Sequence, residues 1–274
     1  MSHLPFLPAS LWEEIKPIFI RAWPCEAIVA IWPDGWRELR NVHSAPALGF
    51  CFSEEDRAAL LARKPLVVLH SHPNGTRQPS DDDTVGQLAW AFPYGIVAID
   101  AEVTTGQIFA AHYPECWGAG LPIPPLLGRS YLWAVRDCLT LCQDYYTLQG
   151  VKLPRIPRSR EPSIYPKGHW GHDQFLSEPE RLGLKLLKRH ERQPGDITRW
   201  ITKGNRYNHC AIYLGDGQFL HQPVDQASVI HTTDHEERFI ELMNIDFLRP
   251  KSVKKPLLND IAALELVCPR PLSS

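Results

Sequence analysis

The apolar and polar positions along the chain predict a series of short elements. Residues 11–22 read as a short helix. The stretch EAIVAIWPDGWREL, starting at Glu26, reads as strand, Asp-Gly turn, strand. PLVVLHSH, ending at His72, is an apolar strand that runs into the polar loop PNGTRQPSDDD. DDTVGQLAWAF, starting at Asp82, predicts a helix with an aspartate as its N-cap. GIVAIDAEVTTGQIFAAHY predicts a strand hairpin that ends at Tyr113. PECWGAGLPIPPLLG is rich in proline and glycine and reads as a linker. DCLTLCQDYYTLQG has helical spacing and a stop at Gly150, and a proline-studded loop follows it. EPERLGLKLLKRH predicts a helix, and DITRWITK, HCAIYLGDG and QFLHQ predict strands joined by turns. The tail after Arg249, rich in lysine and proline, is expected to pack loosely.

The pattern is therefore α+β in two domains, the first with mixed elements and the second with helix before sheet. The expected boundaries are residues 1–113, a linker over 114–127, a second domain over 128–250 and a tail over 251–274. At roughly 100–200 residues per domain, 274 residues suit two cores.

Composition narrows the function classes. With 44% hydrophobic and 22% charged residues the chain suits a soluble globular protein. A formal net charge of −2 with no clustered basic face gives no footprint for nucleic acid. Seven cysteines, odd in number and without a CxxC pair, predict free thiols rather than a disulfide framework. MSHLPFLPASLWEEIKPIFI does not resemble a signal peptide, and no apolar run of about 18 residues predicts a membrane span.

Candidate chemistry starts at His70 and His72. Side chains at i and i+2 of a strand face the same way, so the two imidazoles can meet at one point. Pro73, Asn74 and Gly75 turn the chain, and the loop can return one of three aspartates to that point. Two histidines, one carboxylate and a fourth position for water form a catalytic rather than a structural zinc set. Bound zinc lowers the pKa of its water toward about 7, and a carboxylate outside the ligand set must then take the proton. The competing readings are a solvated polar loop and a metal domain without activity.

His70-x-His72, seven residues, Ser80, two residues and Asp83 resemble the motif of the JAB/MPN (JAMM) metallopeptidases over about residues 10–112. The resemblance implies a mixed α/β sandwich, with Zn(2+) held by His70, His72 and Asp83. It also implies Ser80 helping to hold the oxyanion and Glu26 as general base. Ala27 fits the family pattern after that glutamate, whereas Ile28 and Val29 depart from it.

A second constellation lies downstream. Cys138 opens a predicted helix, where the helix dipole favours thiolate. A cysteine nucleophile needs a base, and the base needs an orienting partner. His209 and His221 lie on two predicted strands joined at Gly215-Asp216-Gly217, so they can sit side by side. The alternative is a buried structural thiol, which is also the reading for Cys142. Asp137-Cys138, Pro194-Gly195-Asp196, HCAIYLGDG and FLHQ resemble the NlpC/P60 family of papain-like cysteine peptidases over about residues 126–248. The resemblance implies Cys138 as nucleophile, His209 as base, His221 as orienting residue and Tyr131 as an assisting tyrosine. The family's Ser and Gly after the cysteine are Leu139 and Thr140 here, and its Val-Gly after the histidine is Cys210-Ala211.

The other histidines, His43, His112, His190, His231 and His235, read as surface or structural. His169 and His172, beside Asp173 in HWGHD, form a weaker metal candidate, and Trp133 and Trp170 read as packing residues, with the lining of a substrate groove as the alternative.

The two domains in this order resemble tail tip assembly proteins of lambda-like siphophages. That resemblance implies a hydrolase with peptidoglycan stem peptides and other tail tip proteins as partners, and without membrane insertion. It also implies synthesis in host cytoplasm and action from the virion tail tip at the cell wall. A structural tail scaffold with inactive sites is the second reading. A ubiquitin-like isopeptidase that uses the first half alone is the third.

Overall fold

A computed structural model describes residues 6–118, 120–160, 178–202 and 207–267. The chain forms two compact units, Met1–Leu121 and Pro122–Ser274, each of mixed α and β structure.

In the first unit, α1 (Ala9–Ala22) buries Trp12, Ile15, Ile18 and Phe19. They pack on Val29, Ile31, Val67, Leu69, Val97 and Ile99 of the sheet. β1 (Ile28–Trp32) and β2 (Gly35–Leu39) form the expected hairpin, with Trp32 opposite Gly35. α2 (Glu54–Ala62) is capped by Ser53, whose oxygen accepts from the Asp56 N–H. β3 (Val67–His72) is buried along its whole length. It lies between antiparallel β1 and parallel β4 (Tyr94–Glu102), and the crossover to β4 carries α3 (Asp81–Trp90). β5 (Gln107–Ala111) continues the sheet in the order β2-β1-β3-β4-β5. The histidine end of β3 is thus held on both sides by neighbouring strands.

Residues 114–127 are not only a linker. Glu115–Trp117 form a further strand, β6, paired with β4. Leu126 is fully buried in the second unit's core. Proline and glycine density hid a three-residue strand whose pairing comes from β4 and not from its own pattern.

The second unit begins with α4 (Cys138–Leu148). Its antiparallel sheet contains β7 (Leu184–Leu187), β8 (Ile197–Trp200), β9 (His209–Gly215), β10 (Gln218–His221), β11 (Val229–Thr232) and β12 (Asp246–Pro250), in the order β11-β10-β9-β8-β12-β7. α5 (Glu236–Leu242) precedes β12. Leu141, Cys142 and Tyr145 of α4 share a core with Cys210, Ile212 and Leu214 of β9. The Pro-Gly-Asp turn ties helix to sheet. Gly195 has φ +94°, its N–H donates to Tyr213 O, and its carbonyl accepts from Tyr146 Oη at 2.5 Å. Asp196 is buried and receives two bonds from Arg249, at 2.6 and 2.8 Å.

Two expectations fail in this unit. EPERLGLKLLKRH is not one helix. Pro179–Leu182 form a single 3-10 turn, Gly183 ends it at φ +76°, and Leu184–Leu187 become β7 against β12. Strand pairing here outweighs the helical preference of a lysine- and leucine-rich stretch. Nor does the tail simply pack loosely. Ile261–Val267 form α6, with Ile261 and Leu264 buried in the α4 core. The Glu265 carboxylate accepts from the Leu126 N–H at 2.7 Å. Among the described residues, no helix is long and apolar enough to cross a membrane.

Candidate functional site

In the first unit, His70 and His72 bring their Nε2 atoms to 3.2 Å from each other. Asp83 Oδ1 lies 3.2 Å from His70 Nε2, and Oδ2 lies 3.3 Å from His72 Nε2. All three residues are buried, and they are the metal-capable cluster among the described residues. Local structure fixes each one. The strand pleat puts both imidazoles on one side. Nδ1 of His72 lies 3.1 Å from Thr76 O, and donation there leaves the Nε2 lone pair to the cluster. Asp83 is the third residue of α3, in a reciprocal cap: the Ser80 N–H donates to Oδ2 at 2.7 Å and the Asp83 N–H donates to Ser80 Oγ at 3.1 Å.

The N-cap of α3 is therefore Ser80, not the expected aspartate. Ser80 is exposed beside the cluster with its oxygen engaged in this cap. Burial pushes the Asp83 carboxyl up, but the hydrogen bonds and charge of His70 and His72 more than reverse this and hold it well below the usual range. Burial lowers the His70 imidazole below its ordinary value, against the neighbouring Asp83 carboxylate, which raises it.

Glu26 precedes β1. Carried two residues past Ile28↔His70, the β1–β3 register sets it opposite His72. It is buried, its Oε2 has no hydrogen-bond partner, and burial together with the Asp83 charge raises its pKa to about 8. Neutral imidazole nitrogen and ionised carboxylate oxygen are the donor types that zinc takes, and the Glu26 carboxyl, with its pKa of about 8, is a group near the set that can exchange a proton close to neutral pH. The residues present fit a zinc ion held by His70, His72 and Asp83.

The pattern of the sequence missed the wall around this cluster. The rings of Phe50, Tyr94 and Trp117 lie 4.7, 6.0 and 6.3 Å from the His70 ring. Trp117 belongs to β6, inside the stretch read as linker. The loop after β3 is also clasped: His112 Nε2 meets Asp100 at 2.6 Å and Arg77 meets His112 Nδ1 at 2.9 Å.

In the second unit, Asp137 caps α4 and Cys138 is its first residue. The Thr140 N–H donates to Asp137 Oδ1 at 3.0 Å, and the Asp137 N–H donates to Thr140 Oγ1 at 2.7 Å. Thr140 thus completes a capping box, and Leu139 is buried in the core. His209 Nε2 lies 2.9 Å from His221 Nδ1, as adjacent strands β9 and β10 allow. That contact leaves Nδ1 of His209 for a thiol.

Cys210 and His209 of β9 act on the Cys138 thiol. Together they outweigh burial and the neighbouring Asp137 charge and hold the thiol well below its ordinary pKa. Cys210 itself is buried and pushed up, so it stays a neutral S–H donor. Burial, helped by the charges of His209 and His231, lowers His221 to about 4, so its imidazole is neutral near pH 7. Burial and the charges of Asp137 and Cys138 push the Tyr131 hydroxyl up to about 12, which places it in the electrostatic reach of the thiol. The structure therefore gathers Cys138, His209, His221 and Tyr131 into one region. A thiolate paired with an imidazolium can attack a carbonyl carbon, and the imidazolium can return its proton to a leaving amine.

Two residues here were not singled out from the sequence. Trp200 faces His209 across the β8–β9 ladder, with its ring 4.8 Å from His209 and 6.0 Å from His221. It is a floor for both imidazoles. Arg158 comes from the proline-rich loop, donates to Asp137 Oδ2 and stacks on Trp133 at 4.9 Å. The HWGHD candidates His169, His172, Asp173 and Trp170 lie outside the described residues.

A sequence model of the NlpC/P60 family matches residues 128–247. Tail tip assembly protein K of Escherichia phage lambda is 31% identical over 165 residues, covering 60% of this chain and 72% of that protein. Tail tip assembly protein K of Escherichia phage N15 is 26% identical over 194 residues, covering 66% and 70%. A crystal structure of an NlpC/P60 family protein from Bacillus cereus ATCC 10987 is 15% identical, and its TM-score of 0.32 is too low to set one fold on the other. The alignment spans 83% of this chain and 61% of that chain. With nearly a third of positions shared across 72% of the lambda protein, and an NlpC/P60 domain over residues 128–247, this chain belongs to the tail tip assembly protein K family.

Proposed function

We propose that this chain is a tail tip hydrolase that opens the bacterial cell wall, and that its NlpC/P60 domain cleaves amide bonds in peptidoglycan stem peptides. The observation that carries the reading is the grouping of Cys138, His209 and His221, with the thiol held below its ordinary pKa. Cys138 attacks the carbonyl carbon as thiolate. His209 takes the thiol proton, gives it to the leaving amine and then takes one from the water that releases the acyl group. His221 accepts from His209 and fixes the ring. The protein would act from the virion tail tip, among other tail tip proteins, after synthesis in host cytoplasm.

The first unit supports a second activity in the same chain. His70, His72 and Asp83 would hold Zn(2+), and the domain would be a JAMM-type peptidase acting on a peptide or isopeptide bond. Bound zinc would supply an acidified water at neutral pH. Glu26 is the group that can take its proton, and Ser80 stands at the cluster's rim with a hydroxyl that can donate to an oxyanion.

The test is mass spectrometry of muropeptides after incubation with the full chain, beside Cys138→Ala. New fragments with the wild type and none with the variant are expected, and their masses name the bond. No cleavage by folded, metal-supplied wild type would overturn the peptidoglycan reading in favour of a structural tail scaffold.

A further inference from the structure

Asp137 places a carboxylate directly before the nucleophile. It is 1% exposed, so water screens it poorly. As a cap it is needed: besides its Thr140 bonds, Oδ2 accepts from the Ala134 N–H at 2.9 Å. As a charge it works against a thiolate one residue away, and it does oppose ionisation of Cys138. The chain therefore faces a conflict between capping α4 and ionising its first residue.

Arg158 sits at that conflict. Its Nη2 reaches Asp137 Oδ2 at 2.5 Å with the side chain 15% exposed, and Trp133 covers its guanidinium plane. Its charge is felt by Cys138 and Cys210 as well as by Asp137. We propose that Arg158 is a positioning residue for Cys138: it clamps the Asp137 cap and sets a fixed positive charge against the carboxylate that precedes the sulfur. The loop that carries it, separated from α4 by the chain between Leu148 and Arg158, thereby becomes part of the nucleophile's setting. Among the described residues, the other groups that act on Cys138 include Tyr131, Asp137, and His209 and Cys210 of β9. His209 and Cys210 favour the thiolate. Asp137 opposes it, and neutral Tyr131 adds no charge near pH 7. Arg158 is the fixed cation in this set, and guanidinium stays charged at any working pH.

The inference rests on Cys138 being the nucleophile, and its test needs no substrate. The full chain is alkylated with iodoacetamide from pH 4 to 10, and modification of the Cys138 peptide is followed by mass spectrometry. In Arg158→Gln the pH of half-maximal reactivity should rise by about one unit or more, which is roughly a tenfold loss of rate on the acid side. Arg158→Lys, which keeps the charge, should stay within about half a unit of wild type. Because Arg158→Gln leaves a buried carboxylate unpaired, it can unfold. The same step is therefore also made in Asp137→Asn, where amide capping persists and no buried charge is stranded. Asp137→Asn/Arg158→Gln should again lie about one unit above Asp137→Asn. An unchanged midpoint in folded variants on both backgrounds would overturn the proposal. A wild-type midpoint at the ordinary thiol value would instead overturn the nucleophile reading itself.

Discussion

Replacing His221 with alanine would leave His209 without the acceptor 2.9 Å from its Nε2. His209 becomes positively charged when it takes the thiol proton in the proposed reaction, so the lost bond is charge-assisted there. Such bonds contribute about 1.5–3 kcal/mol, which corresponds to about 10- to 150-fold in rate at 1.36 kcal/mol per decade. Trp200, 4.8 Å from the His209 ring, still supports the imidazole from below. The loss should therefore fall toward the lower end of that range. Iodoacetamide alkylation of Cys138 at pH 6.5 measures it directly, and kcat/KM on a purified muropeptide measures it in turnover. His221→Gln keeps a carbonyl acceptor and should recover most of the rate. Alkylation of folded His221→Ala within threefold of wild type would refute the assignment of His221 as the orienting partner.

His221 also makes the stability of the fold depend on pH. His221 falls from an ordinary value near 6.5 to about 4 in the folded chain, chiefly by burial. The unfolded chain takes up that proton first, so this residue's contribution to stability is present above about pH 6.5 and is lost as pH falls toward 4. His221→Gln should show a shallower loss of stability over that window in urea unfolding.

Two further outcomes test the rest of the molecule. Metal analysis of the full chain dialysed against zinc should find about one zinc per chain, lost in His70→Ala and His72→Ala but retained in Cys138→Ala; equal zinc in wild type and His72→Ala would remove the metal reading. Gly195→Ala should destabilise the second unit by about 2–5 kcal/mol, because φ is +94° and the new Cβ would stand 2.8 Å from Leu257 Cβ; a loss below about 1 kcal/mol in urea unfolding would show that the turn relaxes freely.

The elements that carry the candidate chemistry were legible because their signals are local. His-x-His at a strand end needs only the pleat, and Asp-Cys before an apolar helix needs only a cap. What escaped were features whose cause lies elsewhere in the chain. β7 is a strand because β12 pairs with it, although its own residues suit a helix. Trp117 walls His70 only because β6 joins β4, and α6 is held because Ile261 and Leu264 find the α4 core. Trp200 reads as one apolar strand residue among several until the β8–β9 register sets it across from His209.

Both candidate sites sit on a capping box, yet the two boxes place their acid differently. In α3 the serine is the cap and the acid is the third residue, so Asp83 both closes the cap and lends its oxygens to the histidines. One buried charge serves both purposes, and nothing nearby has to cancel it if a cation fills the cluster. In α4 the acid is the cap itself and threonine is the third residue. There the buried carboxylate helps the helix but opposes a thiolate on the next residue. Asparagine or serine would cap with less conflict, so keeping aspartate makes sense only with a permanent cation against it. That is the physical reason to expect the Arg158 loop and the α4 terminus to behave as one unit, with variants in either altering Cys138 reactivity through the other.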